Sequence, residues 1–164
     1  MEENIQYFMQ EAIKEAKKAF QKGEVPVGAV IVRENKIVAR GHNKRETEKN
    51  AIFHAETDVI SNACKELNGW RLWNCQLYVT LEPCPMCAGA IINAHIPRVY
   101  FGAYDLKNGA CGSVTNLFDL PNGFKPVCTG GILQEECAEL LKTFFRNLRD
   151  KKVRDLDTQS GQTD

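Results

Sequence analysis

Gln76-Leu77-Tyr78-Val79-Thr80-Leu81-Glu82-Pro83-Cys84-Pro85-Met86-Cys87-Ala88-Gly89-Ala90 joins a buried strand to a short helix across a proline-flanked turn. Gln76 to Leu81 has strand composition, and Met86 to Ala94 reads as a buried helix with Pro85 suited to its first turn. Cys84 and Cys87 are three residues apart, so at a helix start they share one face, about one turn from each other. Upstream, His54-Ala55-Glu56 opens a second helix that reads to about Leu67. A helix N-terminus favours anions, so both thiols are expected to ionise more readily there than a free cysteine does.

Together these residues offer one imidazole, two thiols and a spare carboxylate. His54, Cys84 and Cys87 fill three corners of a tetrahedral zinc site and leave the fourth open for a water. That is the pattern of a catalytic zinc, because structural zinc is closed by a fourth residue. Glu56 then serves as a proton shuttle, two residues from the histidine ligand. A lone Cys-x-x-Cys also suits a redox pair or half of a zinc knuckle. The redox reading leaves His-x-Glu idle. The knuckle lacks a second Cys-x-x-Cys or His pair, since His42 and His95, the other two of three histidines, have no spaced partner.

At 164 residues the chain is long enough to bury a substantial core as one domain, expected over 1–150. Its 43% hydrophobic and 26% charged residues are ordinary for a soluble globular protein. Seven cysteines make an odd count for a disulfide framework; Cys64, Cys75, Cys111, Cys128 and Cys137 read as small buried residues in a reducing cytosol. No apolar stretch approaches membrane-spanning length and Met1-Glu2-Glu3-Asn4 is no signal peptide, so a cytoplasmic location is expected. Net charge is zero, which argues against a general nucleic-acid binder. Locally, Arg146 to Arg154 carries five basic residues against one acidic. The tail over 151–164 turns from basic to acidic, and its last ten residues are expected to be disordered.

The order of elements follows from periodicity. Ile5, Phe8, Met9, Ala12, Ile13, Ala16, Ala19 and Phe20 form a helical stripe that Gly23 ends. Val27 to Val32 and Ile37 to Gly41 form a hairpin about Glu34-Asn35. The His54 helix, the Gln76 strand, the Cys84 helix and a strand over Val99 to Ala103 follow. A loop-rich stretch, a short strand near Val127 to Thr129 and a helix from Gln134 to about Arg149 complete the chain. An α/β sandwich built on one mixed sheet fits this order.

His-x-Glu followed by Pro-Cys-x-x-Cys is the signature of zinc-dependent nucleobase deaminases, in which an exocyclic amine leaves as ammonia. Over residues 5 to 150 the chain resembles the bacterial tRNA-specific adenosine deaminases of the TadA type. The resemblance rests on Gly23-Glu24-Val25-Pro26-Val27-Gly28-Ala29-Val30, His42-Asn43, His54-Ala55-Glu56 and Leu77 to Ala90. It extends through Phe101-Gly102-Ala103-Tyr104-Asp105, Gly109-Ala110-Cys111-Gly112-Ser113, Glu135-Glu136-Cys137 and Phe144-Phe145-Arg146. It implies a cytidine-deaminase-like three-layer sandwich, with one mixed five-stranded sheet flanked by helices. One Zn2+ per subunit, a homodimer, and a tRNA anticodon stem-loop as partner are implied with it, the wobble adenosine becoming inosine.

By position, the resemblance implies that Asn43 hydrogen-bonds the purine and Val27 packs on its face. The backbone at Ala55 and Pro83 would position the base, while Asp105, Phe144, Phe145 and Arg146 would lie along the anticodon path. On chemistry alone Asn43 also suits an Asx-turn, Asp105 a turn, and one of Phe144 and Phe145 the core, since both cannot face one side of a helix. Three stretches depart from the family pattern, at Phe53, at Ala94-His95-Ile96 and at Asn122-Gly123-Phe124-Lys125. Deamination of a free base or nucleoside, guanine or cytosine/cytidine, is the competing activity, and a non-catalytic zinc module leaves Glu56 without a role.

Overall fold

The computed structural model describes residues 2–121 and 123–161. In chain order its elements are α1 (Glu2–Gln21), β1 (Gly28–Arg33), β2 (Lys36–His42), α2 (Ala55–Glu66) and β3 (Cys75–Leu81). These are followed by α3 (Pro85–Asn93), β4 (Arg98–Ala103), a 3-10 turn (Leu117–Asp119), β5 (Val127–Thr129) and α4 (Gln134–Ser160). The strands form one mixed five-stranded sheet in the order β2-β1-β3-β4-β5. β1 is antiparallel to both β2 and β3, whereas β3, β4 and β5 run parallel.

Strand alternation divides the core. Ala29, Ile31, Leu77, Val79, Val99 and Phe101 point to one face, where Ala55, Val59 and Ala63 of α2 and Ala88 and Ile91 of α3 cover them. Val30, Val32 and Tyr78 point to the other, under Phe8, Met9, Ala12 and Ile13 of α1 and Cys137 of α4. The result is three layers, α/β/α. The spatial order puts the antiparallel hairpin at one side and leaves α3 as the crossover between the parallel strands β3 and β4, as such a pairing requires.

Local chemistry sets the joints. Glu34 and Asn35 both adopt positive φ, 52° and 59°, the requirement of a two-residue hairpin turn that matches strand twist. At Gly28 a Cβ would collide with the backbone of Ala12 and Ala16, so glycine lets α1 lie directly on β1. The helix α4 differs from expectation. It continues past Arg149 to Ser160, through part of the tail expected to be disordered; Gln162, Thr163 and Asp164 lie outside the described residues. Apolar periodicity ends near Leu148, but no glycine or proline interrupts the chain between Gly131 and Gly161, so nothing stops the backbone ladder.

Buried carboxylates tie α1 to β2. Arg40 Nη2 lies 2.7 Å from Glu11 Oε2, and its Nη1 3.5 Å from Glu15 Oε1, which also accepts Lys18 Nζ at 2.8 Å. His42 Nδ1 stands 3.6 Å from Glu15 Oε2. Burial alone would raise the Glu15 carboxyl; the hydrogen bonds with His42 and Lys18 outweigh it and hold it down at about 2. A carboxyl depressed on folding contributes stability above its unfolded value and loses it as pH falls through the folded one. Acid titration followed by circular dichroism should therefore show stability falling from about pH 4.5 toward pH 2. Glu15→Gln should cost roughly 1–3 kcal/mol near neutrality and flatten that acid limb; an unchanged melting temperature and acid limb would contradict the network's role.

Candidate active site

The carboxyl end of β3 delivers Leu81-Glu82-Pro83 to Cys84, which caps the N-terminus of α3, with Pro85 as the first helical residue. His54 in turn caps α2; its backbone N–H donates to Thr57 Oγ1 at 3.0 Å. The two helix starts meet. His54 Nδ1 is 3.7 Å from Cys84 Sγ and 3.5 Å from Cys87 Sγ, and the three ligand atoms lie within 4.8 Å of one another. Around tetrahedral zinc, with sulfur at about 2.3 Å and nitrogen at about 2.0–2.1 Å, a nitrogen-to-sulfur edge spans about 3.6 Å. The triangle already has the dimensions of the metal. Both helix dipoles point their positive ends at it, as the motif spacing predicts.

The thiols do not behave alike. A hydrogen bond from Cys87 brings the Cys84 thiol down to about 4 despite its burial, with His54 assisting. Cys87 moves the other way, pushed up by its hydrogen bond to Cys84, by full burial and by the carboxylate of Glu56. Of the two, only the Cys84 thiol moves in the direction that the helix N-terminus favours. Two adjacent negative charges need a cation, and a coordinating metal deprotonates the second thiol. Glu56 is 4% exposed, and burial raises its carboxyl, although its contact with Cys87 lowers it in part. It is the carboxyl next to the ligand triangle that is free to carry a proton.

A cleft of about 650 Å³ opens onto His54, Glu56 and Cys84. Val27, Asn43, Ala55, Asp105 and Phe145 line it, five of the residues assigned to substrate by resemblance. Pro83 is buried and its carbonyl accepts Ala110 N at 2.9 Å, which anchors the following loop. Phe144 turns to α1, its ring 5.8 Å from that of Phe20, while Phe145 takes the cleft side, 42% exposed. Arg146 lies outside the cleft lining, with Nη2 3.3 Å from Thr143 Oγ1 and 3.9 Å from Glu139. One helix cannot aim three consecutive residues at one target.

Asn43 and Asp105 have structural duties as well as cleft positions. Asn43 Oδ1 accepts Arg45 N at 3.2 Å, an Asx-turn, and Nδ2 donates to Val25 O at 3.3 Å. Asp105 Oδ1 accepts the N–H groups of Lys107 and Asn108, each at 3.0 Å. Sequence reasoning missed Arg45, Tyr104, Leu106, Lys107 and Asn108, which also line the cleft. Tyr104 to Asn108 adjoin Asp105 in sequence, a signal that was available. A second groove of about 630 Å³ shares Lys107, Leu141 and Phe145 with the cleft and adds Lys142, Leu148, Arg149 and Lys152. Of the departures from the family pattern, His95 and Phe124 meet in one aromatic cluster, with ring centroids 4.8 Å apart, and Trp73 also stands 4.8 Å from His95. Phe53 lies beside Lys44, 6.0 Å from its ammonium, and Asn122 lies outside the described residues.

Fold, ligand triangle and buried carboxyl define a zinc-dependent hydrolytic deaminase. Residues 2–103 match the model of the cytidine and deoxycytidylate deaminase zinc-binding region. The chain is 53% identical over 146 residues to a tRNA-specific adenosine deaminase of Bacillus subtilis (strain 168), covering 88% of this chain and 91% of that one. It is 46% identical over 148 residues to a tRNA-specific adenosine deaminase of Aquifex aeolicus (strain VF5), covering 90% and 98%. A solved structure from studies of A-to-I editing by tRNA:A34 deaminases at the wobble position superposes with a TM-score of 0.79 at 43% identity, covering 82% of this chain and 99% of that one. A guanine deaminase from Bacillus subtilis reaches a TM-score of 0.57 at 39% identity, over 60% and 63%. The chain belongs to the tRNA-specific adenosine deaminase family.

Metal analysis of purified variants tests the ligand set. Cys87→Ala should lose stoichiometric zinc, whereas Glu56→Ala should keep zinc and fold yet fall at least about 100-fold in turnover, the scale of a lost proton-transfer group. Full zinc in the first variant, or near-normal turnover in the second, would contradict these roles.

Proposed function

We propose that the protein hydrolyses the wobble adenosine of a tRNA anticodon to inosine. The supporting observation is a cleft that leads from the ligand triangle into a groove bearing Lys107, Lys142, Arg149 and Lys152 beside Phe145 and Leu148. A free base needs only the cleft. Cations interleaved with apolar side chains suit a single-stranded segment, where phosphates meet charge and bases meet aromatic faces. The names of the relatives at 46–53% identity support the same substrate.

The residues divide the work. His54, Cys84 and Cys87 would hold a zinc ion, which would supply Lewis acidity and a water nucleophile near neutral pH. Glu56 takes a proton from the attacking water and gives it to N1 of the purine, then takes the remaining hydroxyl proton from the oxygen on C6 and gives it to the departing amine. The water oxygen ends on C6, the C6–N bond breaks, and ammonia leaves. In this reading Val27 packs on the base, and Asn43 uses its second amide hydrogen and second lone pair, which the Asx-turn does not consume, to address the purine edge. Ala55 and Pro83 contribute backbone. Asp105 and Phe145 guide the flanking nucleotides, and Phe144 and Arg146 support the helix face that carries them. The base reaches the site by leaving its stack in the anticodon loop. A homodimer and a cytoplasmic location, where tRNA is processed, belong to the same proposal; no helix among the described residues is long and apolar enough to cross a membrane.

The zinc-loaded protein should convert an anticodon stem-loop with adenosine at the wobble position to its inosine form. The same stem-loop with that adenosine moved one position should react at least about 100-fold more slowly. Product analysis of digested RNA reads both. Ammonia release from guanine or cytidine, with the stem-loop unmodified, would replace this function with deamination of a free base or nucleoside.

A further inference from the structure

Two carboxylates outside the proton-transfer step are buried and held by backbone N–H groups. Glu24 is fully buried and Glu82 is 2% exposed, and among the described residues neither forms an ion pair. A buried charge demands compensation, and here backbone N–H groups supply it. Glu82 Oε2 accepts Cys111 N and Ser113 N, both at 3.1 Å; Oε1 accepts Asp105 N at 3.2 Å and the Ser113 hydroxyl. Glu24 Oε2 accepts Thr47 N at 2.8 Å and Oε1 accepts Glu46 N at 3.0 Å.

Each set of donors belongs to a loop that lines the cleft. Glu82 gathers both ends of the segment from Asp105 to Ser113, which carries Asp105, Leu106, Lys107 and Asn108 into the cleft wall. Glu24 gathers the turn after Asn43 and Arg45, which line the cleft from another side of the chain. Gly109 gives an independent reading of the same clamp. A Cβ there would overlap the Glu82 carboxylate and the Asp105 carbonyl, so the loop closes about Glu82 too tightly for any side chain.

We infer that Glu82 and Glu24 are positioning residues for the reaction, each fixing one substrate-facing loop of the cleft by binding its backbone N–H groups. The inference rests on the proposed function for its kinetic readout and on the fold alone for its structural one. Neither carboxylate moves a proton in the reaction; both set where Asp105, Lys107, Asn43 and Arg45 stand when RNA arrives. Preorganised loops make the substrate contacts without an ordering cost at binding. Glutamine cannot substitute, because its amide nitrogen would face N–H donors in either orientation.

Full-length zinc-loaded protein tests the inference by stem-loop kinetics and amide hydrogen exchange. Glu82→Gln should raise KM for the stem-loop about tenfold or more, hold kcat within about threefold and leave zinc content unchanged. Exchange of the Asp105, Cys111 and Ser113 amides should accelerate while that of Glu46 and Thr47 does not, and Glu24→Gln should show the converse pattern. Glu82→Asp, which keeps the acceptors but shortens the reach, should give an intermediate KM. Should Glu82→Gln fail to fold, Gly109→Ala displaces the same loop and should raise KM alike. Unchanged KM with unchanged local exchange, or a fall in kcat that merely tracks lost zinc, would overturn the inference. An inactive wild-type protein would remove the tRNA function instead, and the exchange pattern would still decide the clamp.

Discussion

Two helix N-termini converging at the carboxyl end of a parallel strand are the constraint on which the rest of this structure depends. His54 caps α2 and Cys84 caps α3, and the strand β3 that leads to Cys84 lies in the middle of the sheet. Were either helix to start one residue later, its ligand would turn by about 100° and leave the triangle. The core serves this meeting. Ala55, Val59, Ala88 and Ile91 pack both helices on the face formed by Leu77 and Val79, so the ligands inherit their spacing from close-packed elements rather than from a loop. The same geometry concentrates positive helix dipole where two thiolates must sit beside a carboxyl.

The ligand triangle and the remaining cleft wall come from different parts of the chain. Reaction type follows from four side chains on rigid helix starts. The rest of the cleft lining comes from the turn after β2 with Asn43 and Arg45, the loop after β4 with Asp105 to Asn108, and one face of α4 with Phe145. The similarity to a guanine deaminase extends over about 60% of the chain. Glu82 and Glu24 join the two parts by accepting backbone N–H groups from the loop after β4 and the turn after β2.

Much of this was legible in the sequence, for physical reasons that can be named. Cys84 and Cys87 announce a helix start by spacing, His54 and Glu56 another, and the Ile5-to-Phe20 stripe and the Glu34-Asn35 hairpin obey periodicities of 3.6 and 2. The end of α4 was not legible, because beyond Leu148 the residues are exposed and no longer repeat, while a helix without breakers needs no buried face to continue. The opposite shifts of the two thiols were hidden too, because they arise from the contact between the sulfurs and not from their spacing. Glu82 reads as one more polar residue before Pro83 until a loop more than twenty residues downstream folds back onto it. Likewise His95, Phe124 and Trp73 become one cluster only when the starts of neighbouring strands come together.

X-ray absorption at the zinc edge of the protein decides whether the metal centre is open, with three protein ligands. An open centre gives two sulfur scatterers at about 2.3 Å and two light-atom scatterers at about 2.0–2.1 Å, one with the multiple-scattering signature of an imidazole and one without. Three or four sulfur scatterers, or two imidazoles, would close the coordination shell with protein and contradict it.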